Sequence, residues 1–132
     1  MKNVTQEFSE IELSFLLLAL DEFESRINEL KKYSARPSTC KNIELNLGVL
    51  ASSKQKLKHK EHIFTLNESK VMYTSVHDRR DFINAALDDG FDNENDRLDA
   101  LATLKIANSI LRKLKSAFST IGVDIEAFLG LN

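Results

Sequence analysis

One cysteine, one proline, four glycines and no tryptophan are spread over 132 residues. The lone Cys40 excludes an internal disulfide and favours a reducing compartment. So few chain breakers leave little to build the many turns of a β-sandwich or barrel, while plentiful Leu, Lys, Glu and Ala favour helices. Long apolar runs are missing as well. The longest, "LSFLLLAL" from Leu13 to Leu20, is interrupted by Ser14 and falls far short of the roughly 20 residues a bilayer span needs. The opening "MKNVTQEFSE" puts polar and acidic residues where a secretory leader needs its apolar stretch. Neither sign of charge dominates, with 18 Lys and Arg against 20 Asp and Glu. Bulk charge therefore argues neither for nor against a polyanionic partner. Glycine-rich phosphate loops, nucleophile elbows and dinucleotide fingerprints do not occur, and no repeat of 20 to 50 residues is visible. The expectation is one soluble, cytoplasmic domain spanning 1–132, with no cofactor, no metal, no membrane partner and no evident small-molecule substrate. A Lys-, Asn- and Ile-rich chain points to an AT-rich bacterial or phage source.

What is present is helical periodicity. Ser9 followed by Glu12 is a capping-box pattern, and Leu13, Leu16, Leu20, Phe23, Ile27 and Leu30 then fall three and four apart. Ile11, Phe15 and Leu18 widen that stripe, so this end is expected to be buried on more than one side. After Pro37, "IELNLGVL" at 43–50 alternates like a strand, but Ile43, Leu50, Leu57 and Phe64 recur every seven residues and favour a helix. Thr65 with Glu68 is a second capping box, opening a helix that carries Met72, Val76 and Ile83 and stops at Gly90. "DDGFDNEND" reads as a long loop. Leu104, Ala107, Leu111, Leu114, Phe118 and Ile121 form the cleanest stripe, ended by Gly122. Asp124 is placed to cap a last short turn, "IEAFL", that would fold Phe128 over the bundle end. The fold class expected is all-α, an antiparallel up-and-down four-helix bundle with a short C-terminal helical turn. A pair of helical hairpins that completes its core by dimerisation is the competitor.

The peculiar stretch is "SSKQKLKHKEHIF", with Lys54, Lys56, Lys58 and Lys60 at alternate positions. On a helix these lysines surround the axis and make no single basic face. The plain reading is a helix end standing in water, its cations complementing the dipole. The sharper reading is contact with nucleic acid or an acidic partner. Eight cations face only Glu44 between Lys31 and Lys60, and such asymmetry can steer a charged partner. Against it, no aromatic residues interleave to stack bases. His59 and His62 stand three apart, not the four of a zinc-protease helix; a third ligand from His77 or Asp78 has no spacing to support it. Cys40, near a helix start, has no His or CxxC mate and reads as an inert thiol. The acidic loop does not fit an EF-hand, because Gly90 at the sixth position puts Ala85 at the first.

"VHDRRDF" places Arg79 in an apolar slot of the third helix. Glu22, which continues the Ile11, Phe15, Leu18 series, is the first candidate for an interhelical ion pair with it; snorkelling of Arg79 to water is the alternative. With no catalytic constellation, the expected function is a non-enzymatic protein–protein interaction module, a small regulatory, adaptor or inhibitor-like bundle with self-association as one route. The alternative is a nucleic-acid-associated factor using the basic stretches of the second helix. An uncovered apolar strip would favour the first, with Leu17 and Leu18 the place to look.

Overall fold

The computed structural model describes residues 3–33 and 36–129, apart from the side chain of Phe128, so the expected seating of Phe128 lies outside the described residues. Elements follow in the order β1 (Asn3–Thr5), α1 (Glu10–Tyr33), α2 (Pro37–Lys58), β2 (Ile63–Thr65), α3 (Leu66–Asp89), α4 (Glu94–Thr120) and α5 (Ile125–Leu129). The fold is all-α, and four of its helices are long. Both capping boxes form: Glu12 N–H is bonded to Ser9 Oγ while Ser9 N–H is bonded to the Glu12 carboxylate, and Thr65 with Glu68 does the same. Pro37 sits at the first turn of α2, where its missing N–H costs nothing. Gly90, at φ +88°, ends α3, and Asp124 accepts from the Ala127 N–H at the start of α5.

Helices α1 and α2 run antiparallel. Along α1 and α2, Lys54 bonds Asp21 while Lys31 bonds Glu44, so one chain rises as the other falls. Helices α1 and α3 each touch the other three long helices, and α2 and α4 stand at the far corners. One apolar cluster unites all elements, from Val4 and Phe8 through Leu16, Leu20, Leu50, Leu57, Met72, Val76, Ile110 and Leu114 to Ile125.

Four expectations need correction. Two short strands pair antiparallel, with Val4 opposite Phe64. Phe64 therefore reaches the core from β2, not from an extended second helix, because α2 has already ended at Lys58. The long loop shrinks to residues 90–93, since Asp88 and Asp89 complete α3 while Glu94 and Asp96 open α4, where the helix dipole favours acids. The α1 stripe is narrower than expected: Phe15, Leu16, Leu20 and Ile27 are buried, whereas Ile11, Leu18 and Leu30 are exposed.

The helix pairs α1–α2 and α3–α4 repeat each other. The buried α1 positions Glu12, Phe15, Leu16, Ala19, Leu20 and Ile27 recur 56 places on as the buried Glu68, Val71, Met72, Ser75, Val76 and Ile83. Leu50, Ser53 and Leu57 of α2 recur 57 places on as Ala107, Ile110 and Leu114. The reciprocal α1–α4 and α2–α3 contacts fit an approximate twofold. Few residues are identical between the halves, so burial carries the repeat.

Candidate functional site

Each capping-box glutamate is also the hub of a polar cluster between helices. Glu12, almost wholly buried, accepts from Ser109 Oγ at 2.8 Å and Lys113 Nζ at 2.6 Å on α4. Glu68, equally buried, accepts from Ser52 Oγ and from Lys56 Nζ at 2.7 Å on α2. The donors form the same Ser-x-x-x-Lys spacing in both halves, one helical turn apart on one face. Burial pushes the Glu12 carboxyl up, but the bonds from Lys113, Ser9 and Ser109 outweigh it and hold the group at about 2. Glu68 is likewise held below the usual carboxylate range, burial being outweighed by Lys56, Ser52 and Thr65.

The four expected contact lysines are thereby redistributed. Lys54 turns to α1, 2.9 Å from Glu24 and 3.0 Å from Asp21; its ammonium is held charged, above its ordinary range, by Glu24 first and Asp21 next, against the opposing effect of burial. Lys56 turns the other way, to Glu68 on α3. Lys60 leaves α2 in the left-handed region at φ +54° and lies 2.7 Å from the exposed Glu10. Lys58 is exposed, and among the described residues no carboxylate pairs with it. The reading of this stretch as a helix end standing in water is corrected at Lys54 and Lys56, which clamp α2 between α1 and α3. His59 and His62 are exposed at its end, while His77 lies 3.4 Å from Asp81. Cys40 is half-buried in α2.

Arg79 Nη1 lies 3.3 Å from Glu22, and Arg26 of α1 lies 3.6 Å from Asp78 of α3. Arg26 covers the ring of Phe23, and Arg79 covers that of Phe82. Under the repeat, the arginine and phenylalanine have exchanged places between α1 and α3. Glu22, Ser25, Arg26, Asp78, Arg79 and Phe82 line a cleft of about 350 Å³. Phe82 is 65% exposed. Up the same line of α1, at seven-residue intervals from Ser25, stand Leu18 and Ile11, which are 51% and 62% exposed. Leu17 packs against the core.

A larger cleft, of about 650 Å³, lies between α3, α4 and the start of α5, lined by Tyr73, Arg80, Lys105, Asn108, Arg112 and Lys115 together with Leu111 and Glu126. Lys115 lies 3.2 Å from Glu126, and the Tyr73 hydroxyl donates to the same carboxylate at 3.1 Å. Those two partners, Lys115 first, hold Glu126 below its ordinary range; burial and then Glu126 push the Tyr73 phenol up to about 12. Sequence reasoning missed this cleft. Its signal was present on α4, where Lys105, Asn108, Arg112 and Lys115 fall three, four and three apart, one helix face beside the apolar stripe. Arg80, from another helix, could not be added without the fold. Set beside known proteins, the chain matches no family model, no curated protein and no solved structure.

Proposed function

We propose that this chain is a non-enzymatic protein-interaction module that self-associates through the outer face of α1. One observation carries the reading: Ile11 and Leu18 stand exposed in line on α1 and lead to the exposed Phe82. Large apolar side chains gathered on one face are commonly a contact surface. The occupant best matched to it is a second copy. The ion pairs at its Phe82 end, Glu22–Arg79 and Arg26–Asp78, carry equal numbers of acids and bases, so the surface can meet itself across a twofold without net repulsion.

Sedimentation equilibrium over a wide concentration range tests this. The wild-type chain is expected to dimerise with rising concentration, and Leu18→Lys to stay monomeric with an unchanged thermal melt. A wild-type chain that is monomeric throughout would sink the reading. Nucleic-acid association through α2 is the lesser proposal, because Lys54, Lys56 and Lys60 each have a carboxylate partner at 3.0 Å or closer.

A further inference from the structure

We infer that the cleft between α3, α4 and α5 binds the phosphate group of a small phosphorylated molecule. This is a surface separate from the proposed self-association face and shares no residue with it.

Charge is the first support. Arg80, Lys105, Arg112 and Lys115 line the cleft beside one carboxylate, Glu126, which Lys115 and the Tyr73 hydroxyl already occupy. Of the other three cations, Arg80 has only a 3.7 Å approach to its sequence neighbour Asp81. Arg112 and Lys105 have no carboxylate partner among the described residues. The Arg80 Nε–H, like that of Arg79, is closed off from solvent without an acceptor, so contact with a ligand falls to the outer Nη groups of its guanidinium. A phosphate oxygen is the kind of acceptor that a guanidinium donor fits.

The internal repeat supplies the second support, because it says what the scaffold itself requires at this place. Arg80 corresponds to Glu24, and Leu111 to Lys54. In the first half these two positions are closed by the Lys54–Glu24 ion pair at 2.9 Å. Lys105, Asn108 and Arg112 correspond to Gly48, Ala51 and Gln55. The same piece of architecture is thus built in α1–α2 with small or neutral residues and an internal pair. Its counterpart in α3–α4 gives up the pair and gathers cations. Folding does not demand that surplus, so a ligand is its physical reason.

Dimensions and surroundings choose a small ligand over a polymer. About 650 Å³ is within the usual range for small-molecule sites. Eleven residues back from Lys105 the same line of α4 reaches Glu94, and Asp124 precedes α5 at the other end. A phosphate chain running out of the cleft would meet these acids. A single phosphate or diphosphate head would not. Asn108 and Leu111 leave a polar and an apolar contact for the body of the ligand.

The test is titration of the full chain with pyrophosphate, followed by two-dimensional amide NMR and calorimetry, for wild type, Arg80→Gln, Arg112→Gln and Lys58→Gln. Thermal melts check that each variant folds. Saturable shifts are expected around Arg80, Asn108 and Arg112. Affinity should fall on the order of tenfold in each cleft variant, the loss of one charge-assisted hydrogen bond. Lys58→Gln, which removes the equivalent of Lys115 in the first half, should bind as wild type. A second arm titrates a single-stranded oligonucleotide. Absence of saturable pyrophosphate shifts, equal loss in Lys58→Gln, or an oligonucleotide that binds this face more tightly than pyrophosphate would each overturn the inference. Should Arg80→Gln fail to fold, Lys105→Gln, at an exposed position, takes its place.

Discussion

Lys113 and Lys56 do the same thing 57 residues apart: each donates to a buried capping-box glutamate across a helix–helix interface, at 2.6 and 2.7 Å. A capping box ordinarily ties up orphan amides at one helix end. Here the same carboxylates also join α1 to α4 and α3 to α2, so two local motifs have become the polar ties of the tertiary fold.

Acid should expose the first tie. Glu12 sits at about 2 in the fold against an ordinary 4.5, so its contribution is full above 4.5 and is lost as pH falls toward 2. At about 1.4 kcal/mol per unit, up to about 3 kcal/mol is at stake. Denaturant melts of wild type are expected to weaken steeply through this window, and those of Glu12→Gln to start lower and fall less. Equal slopes in the two would refute the assignment.

The four lysines of the alternating run should separate by partner. Lys56→Met leaves the Glu68 carboxylate buried with one donor fewer and is expected to cost about 1–3 kcal/mol. Lys58→Gln touches no described partner and should stay within about 0.5 kcal/mol of wild type. A variant carrying Glu at all four positions is expected to unfold before it reports on any binding. Chemical denaturation of the single variants checks the order.

Arg79→Met is expected to leave the melting temperature unchanged or slightly raised. Its pair with Glu22 is about one-third exposed on both sides, where ion pairs contribute about 1 kcal/mol or less. Its Nε–H is buried without an acceptor, and methionine removes that cost while filling the apolar slot. A loss of several degrees, rescued by Glu22→Met, would instead mark a required pair.

Lys60 is the one described residue other than glycine with positive φ, at +54°. It occupies the place after the α2 cap where the Glu61 N–H returns to the Lys56 carbonyl at 3.0 Å, a position glycine fills in most helices. Removing the side-chain strain should outweigh glycine's greater freedom when unfolded and the exposed Glu10 pair. Lys60→Gly is expected to gain about 0.5–1 kcal/mol, read as a higher denaturation midpoint. A lower midpoint would show that the Glu10 pair outweighs the strain.

By itself the sequence determined the helices and their punctuation. Ser9 with Glu12, Thr65 with Glu68, Pro37, Gly90 and Asp124 act on amides and carbonyls a few residues away, so their effect is readable along the chain. The stripe through Met72, Val76 and Ile83 and that through Ala107, Leu111 and Leu114 are legible for the same reason, since helical spacing alone puts their members on one face. Tertiary structure decided whatever needs residues from distant segments. Three-residue strands are too short to announce themselves, and β1 and β2 exist because Val4 meets Phe64. Which of Ile11, Phe15 and Leu18 is buried depends on where the other three long helices lie, and the destinations of Lys54 and Lys56 depend on α2 sitting between α1 and α3. The repeat is hidden in the sequence because packing constrains the volume and polarity of a buried position, not its identity. The basic cleft was half visible as the Lys105–Lys115 face of α4. Its other half, Arg80, is brought there only by the packing of α3 on α4, which no spacing along one helix can encode.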